Sequence, residues 1–132
     1  MSTAQSWFVG YGVVVLLVAL LLGTVLGTLR MRSPAIRTLT AAHVESLLQA
    51  SLHLALAFAV GAVGFDSAAA TWAAVLLVIG SAMQATGATL NWLTNTEDQF
   101  AQRSIGWRLN SSSILVMWPG AALIAWGILS RL

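Results

Sequence analysis

Two histidines, a glutamate, a glutamine and two serines crowd into the eleven residues from His43 to His53 of a chain otherwise rich in aliphatic side chains. At 100° per residue, His43, Ser46, Gln49, Ala50 and His53 fall within an arc of roughly 120°. A helix through this segment therefore carries one polar stripe, with Glu45 pointing to nearly the opposite side. Further along, Ser81, Gln84, Ala88, Asn91 and Asn95 share a face in the same way. Two such stripes on neighbouring antiparallel helices would meet in an interior.

A neutral imidazole is the commonest protein metal ligand, and a single one suffices as the axial ligand of haem. A zinc or di-metal centre wants more donors, and the chain has two histidines and no cysteine. His43 and His53 are ten residues apart, about 15 Å along a helix, so one chain cannot close both on a small ion. Gly-rich phosphate loops, serine elbows and zincin motifs are absent from the sequence. Plain structural roles stand beside the chemical ones. His43 could be an ordinary hydrogen-bonded histidine near a helix end, and Glu45 a partner for Arg37 or another arginine. Gln49, Gln84 and Asn91 could be interhelical hydrogen-bond glue. His53 could be a neutral buried ring bonded to a backbone carbonyl.

The elements that must position these groups are apolar. Of 132 residues, 58% are hydrophobic and 8% charged, and the mean hydropathy is +0.86. A soluble domain carries about a quarter charged residues, so lipid is the solvent this composition suits. Four stretches, 8–29, 38–63, 69–93 and 111–129, are each long enough to cross a hydrocarbon core of roughly 30 Å as a helix. Ser33-Pro34 is expected to break the chain between the first two, and Gly64 to Ser67 to turn it between the second and third. Pro119 is expected to kink the fourth and free a backbone carbonyl. No basic stretch precedes the first apolar run, so the first span is expected to stay in the mature protein. Ionisable residues at membrane depth are costly, which makes the polar stripe a functional candidate.

Six arginines and no lysine give a net charge of +2, but they do not cluster into a nucleic-acid patch. Five lie in the segments 30–37 and 94–110, and one, Arg131, lies on the opposite side. The positive-inside rule then places both arginine-bearing loops in the cytoplasm and both termini outside, in a multi-pass protein of the inner (plasma) membrane. Trp7, Trp92 and Trp107 sit near span ends, where indoles favour the headgroup level. Gly23 and Gly27 form a small-xxx-small pair, and Gly80, Gly87, Gly120 and Gly127 recur at seven-residue spacing, marking close helix contacts. Four thin helices enclose little volume, so a homo-oligomer is expected.

Residues Ser33 to Ala50, SPAIRTLTAAHVESLLQA, resemble the segment N-P-R followed by L-x-A-H-L-E-G-x-x-N-G of the small membrane hydroxylaminobenzene mutases. Asn91-Trp92-Leu93 resembles their N-W-L after the third span. Styrene oxide isomerase is more distantly similar, with the A-H-x5-N spacing. The resemblance implies an intramolecular rearrangement of a small apolar aromatic compound, an aryl epoxide or arylhydroxylamine, within a homotrimer or other homo-oligomer. It further implies haem b as Lewis acid, with His43 as axial ligand and Gln49 in the place of the family asparagine. The family glycines are Ser46 and Ala50 here, and the isomerase tyrosine and aspartate align with Thr89 and Ser81. These departures change groups that would meet a substrate.

The expectation is thus an all-α, integral membrane four-helix bundle. Its expected function is that of an isomerase or mutase, with His43 binding haem and Gln49, Ser81, Gln84, Thr89 and Asn91 lining a substrate pocket. A non-catalytic haem-binding or scaffold subunit is the alternative. A small transporter fits less well, because one carboxylate among four spans makes a poor proton relay.

Overall fold

The computed structural model describes residues 1–30 and 37–132. Every regular element among them is helical: α1 (Thr3–Arg30), α2 (Arg37–Ala62), α3 (Ala68–Leu93) and α4 (Ile105–Leu129). Each is long and apolar enough to cross a membrane. The expected break at Ser33-Pro34 lies outside the described residues.

The helix ends follow from local hydrogen-bond chemistry. At the start of α1, the Gln5 backbone N–H donates to Ser2 Oγ at 3.2 Å while the Ser2 N–H donates to Gln5 Oε1 at 2.8 Å. This reciprocal capping box starts α1 at Thr3, five residues before the apolar run expected from residue 8. After α2, Gly64 takes φ 63° and the Phe65 N–H reaches back to the Val60 carbonyl at 3.0 Å, a six-to-one closure. Ser67 then caps α3 by accepting from the Ala70 N–H. The same closure ends α3, where Asn95 takes φ 51° and the Thr96 N–H donates to the Asn91 carbonyl at 2.9 Å. Ser104 caps α4 by accepting from the Trp107 N–H at 3.0 Å, so α4 starts at Ile105 and not near residue 111. The polar side chains of Arg108 and Asn110 read as loop in sequence, yet they occupy the first turns of a capped helix. Pro119 lies inside α4, which runs on through it with its ring exposed.

The helices associate as two close pairs, α1 with α2 and α3 with α4. Both α1 and α2 also pack on α3; α4 barely touches α2 and does not reach α1. Close approach within the α3/α4 pair depends on glycine. A Cβ at Gly87 would lie 2.6 Å from the Gly106 carbonyl oxygen, and one at Gly120 would lie 2.8 Å from that of Ala73. Gly80 faces Met117 and the Ser113 carbonyl, and Gly127 accepts the Phe65 ring. In lipid, where no hydrophobic drive pulls helices together, such backbone proximity supplies the packing energy.

The core is layered along the bundle. Phe8, Ala57, Val60, Ala73 and Leu77 belong to a buried apolar cluster toward the end that holds the termini. Leu22, Leu26, Leu39 and Ala42 form a second cluster toward the other end. Arg37 and Thr38 share a cavity there with Thr96 and Glu97, so the start of α2 and the segment after α3 lie at the same end. The buried polar residues Gln49, His53 and Ser81 lie between the two apolar clusters. Leu17, Leu21, Phe58, Trp72, Leu115 and Trp126 are among the large apolar side chains left exposed on the outside, as a lipid-facing surface requires.

Candidate functional site

His43 sits two turns into α2 and faces α1. Its Nδ1 lies 2.8 Å from the Ala19 carbonyl oxygen. A carbonyl can only accept, so in this contact Nδ1 carries the proton, and the neutral ring in that tautomer has its lone pair on Nε2. Gly23 admits the ring: a Cβ there would come within 2.8 Å of His43 Cε1 and 3.2 Å of Nδ1. One turn on, a Cβ at Gly27 would meet nothing within 4 Å. A half-buried imidazole held by a backbone carbonyl, with one nitrogen free to donate electrons, fits the donor set of a single axial ligand to haem. No cluster of three histidine, aspartate or glutamate side chains that could hold a metal ion occurs among the described residues.

The polar stripe of α2 serves two neighbours. His43 and Ala50 at one edge of the arc contact α1, where the Ala50 carbonyl lies against Gly12. Gln49 at the other edge faces α3, and its Nε2 donates to Gln84 Oε1 at 2.5 Å and to Glu45 Oε1 at 2.8 Å. Glu45, although nearly opposite His43, is thus adjacent to Gln49 and binds it instead of Arg37. Arg37, Glu45, Asn91, Gln99 and Asn110 line a cavity of about 240 Å³ between α2, α3 and α4, open toward the loop 94–104. Gln84 and Trp107 share a neighbouring hollow with Glu45.

The residues expected to line a substrate pocket are divided among several places. Gln49 and Gln84 meet directly. Ser81, fully buried, lies one turn deeper than Gln84 on the same face of α3. Asn91 sits at the outer end and is occupied with the loop: its Nδ2 donates to Gln99 Oε1 at 2.7 Å, and Ser104 Oγ donates to its Oδ1 at 2.6 Å. Thr89 faces away from Gln49. Its hydroxyl donates to the Ala85 carbonyl at 2.8 Å, and it lines an apolar groove of about 360 Å³ between α1 and α3 with Tyr11, Val15 and Leu90.

Deeper still, His53 is fully buried, and its Nδ1–H donates to the Gln49 carbonyl at 2.7 Å, as a buried neutral histidine would. The Tyr11 ring meets it edge-on with centroids 4.6 Å apart, and Phe8 packs on it at 5.7 Å. His53 Nε2, Tyr11 Oη, Ser81 Oγ and Gln49 Oε1 are buried with no protein hydrogen-bond partner; the Leu77 backbone lies close to His53 but not in bonding geometry. Leaving one such group unsatisfied costs about 1–3 kcal/mol, and surrounding lipid offers no hydrogen-bond partner to relieve it. Tyr11 escapes a reading by polar periodicity, because it stands alone in the aliphatic first span. A lone phenol at membrane depth was its only signal.

No family model, curated protein or solved structure matches this chain.

Proposed function

We propose that the protein is a membrane-embedded isomerase or mutase that rearranges a small apolar aromatic substrate of the aryl epoxide or arylhydroxylamine type, with haem b held by His43. The observation that carries this reading is the His43 ring, fixed over Gly23 by the Ala19 carbonyl with Nε2 left as a lone-pair donor. When bound, ferric haem would supply a Lewis acid for the substrate oxygen. The Ala19 carbonyl sets the His43 tautomer and strengthens its donor nitrogen. The aliphatic, exposed surface of α1 suits an apolar substrate that arrives from the bilayer. Gln49 and Gln84 are the polar pair best placed to orient a substrate on the α2/α3 side. The open flank at Gly27 supports a homo-oligomer that closes over the α1/α2 seam, a trimer by the family resemblance. The position of Arg37, Arg103 and Arg108 at one end of the bundle supports a cytoplasmic location for that end in a plasma (inner) membrane.

One observation favours a non-catalytic haem-binding or scaffold subunit as the second reading. Asn91 and Thr89, two of the expected pocket residues, are committed to a loop and to their own helix. The absorbance spectrum of the purified protein tests both readings. A Soret band that disappears in His43→Ala is the expected result, and a colourless, iron-free protein ends both. Turnover of an aryl epoxide or arylhydroxylamine without added cofactor selects the enzyme; a haem-loaded protein that turns over neither selects the scaffold.

A further inference from the structure

Four unpartnered polar atoms from three helices lie at one level of the bundle. Their neighbours tie them together. His53 bonds the Gln49 backbone and touches the Tyr11 ring. The Leu77 backbone, beside His53, is the one that Ser81 would normally bond, four residues back along its own helix. Ser46, Ser51, Thr71 and Thr89 all make that bond; Ser81 Oγ does not, although it is fully buried. Its hydroxyl therefore points off the helix with nothing to meet. The set is chemically balanced: Tyr11 and Ser81 offer O–H donors, and His53 Nε2 and Gln49 Oε1 are acceptors. None of these four atoms bonds another, so each needs a bridging group that both donates and accepts. Water does both.

The cluster also has a way in and a closed far side. The cavity at the 94–104 end reaches Glu45, and Glu45 bonds the Gln49 side chain whose Oε1 is one of the four atoms. Beyond His53 lies the buried apolar cluster of Phe8, Ala57, Val60, Ala73 and Leu77, and Gln5 on its terminal side is bonded to the Ala57 carbonyl. We propose that ordered waters bridge Tyr11, Gln49, His53 and Ser81 and join the cavity at the 94–104 end past the Gln49 side chain, so that the middle of the membrane is wetted from one side only. The Gln49 carboxamide, held between Glu45 and Gln84, is the gate of this path. This inference does not depend on haem at His43.

The chain has no cysteine, so single cysteines report cleanly. Ser81→Cys and, as a control within the apolar seal, Ala74→Cys are placed in the full-length protein in sealed vesicles. Silver ion, a small impermeant thiol probe, is applied from one face; thiols still free are then counted with maleimide after denaturation. Ser81→Cys should be blocked from the 94–104 face at least ten times faster than Ala74→Cys, and not from the opposite face. Adding Gln49→Ala should speed that block further. Equal rates for the two cysteines, or equal block from both faces, overturn the path. Should Ser81→Cys not fold, water-edited solid-state NMR of the native protein decides instead. Transfer from water to the His53 ring nitrogens is expected, and its absence refutes the proposal.

Discussion

Gly23→Ala separates the geometry of His43 from the stability of the bundle. The new Cβ would stand 2.8 Å from Cε1 of the imidazole, too close for a carbon contact. The obstacle is the end of a side chain, so the ring can swing aside, and the cost is its bond to the Ala19 carbonyl, about 0.5–1.5 kcal/mol. Alanine recovers about 1 kcal/mol through its better helix propensity. The two nearly cancel, and unfolding by a denaturing detergent should shift by less than about 1 kcal/mol. Gly87→Ala puts its Cβ 2.6 Å from the Gly106 carbonyl oxygen, and backbone cannot swing aside. The α3/α4 pair must separate, and overpacking of this kind costs about 1–3 kcal/mol. Nitrogen NMR of His43 should show loss of the Nδ1–H donor signature in Gly23→Ala alone, together with a weaker Soret band if haem is bound. The reasoning fails if Gly23→Ala destabilises as much as Gly87→Ala, or if His43 keeps its bond to Ala19.

Ser104→Ala removes both the cap that accepts from the Trp107 N–H and the donor to buried Asn91 Oδ1. A cap alone is worth about 0.5–2 kcal/mol. The summed loss should be roughly 1–3 kcal/mol, with amide exchange rising first in the first turn of α4; unchanged exchange there would contradict the assignment of the helix start to Ile105. Tyr11→Phe deletes a hydroxyl that meets no protein acceptor. If waters bridge it, the variant should lose about 0.5–1.5 kcal/mol in the same detergent titration; a stabilised variant would mean that the site is dry.

The apolar stretches were legible because each must solvate itself in lipid, and the length required is set by bilayer thickness. The first span and the last were read too short by several residues. The capping box of Ser2 and Gln5 and the cap at Ser104 extend each helix into polar sequence, where hydropathy is blind. Of the glycines read as close helix contacts, Gly80, Gly87 and Gly120 lie between α3 and α4, whereas Gly127 meets the Phe65 ring and Gly27 meets nothing within 4 Å. Glu45 was weighed as a partner for Arg37 or another arginine, yet its carboxylate accepts from Gln49, its neighbour at i+4.

Composition and periodicity alone determined that this chain makes four helices long and apolar enough to cross a membrane, with a polar stripe on the second and third. Both follow from one-dimensional facts: transfer energy per residue and 100° per step. Which helix each polar side chain faces depends on neighbours, and only the tertiary structure decided it. Helix pairing turned His43 toward the Ala19 carbonyl, Gln49 toward Gln84, and Asn91 toward the loop. It also set Tyr11, an isolated residue in sequence, against His53 in a layer of unpartnered polar atoms. Hydrogen bonds between helices are short-ranged and directional, so they register the packing of the bundle and leave no period in the chain.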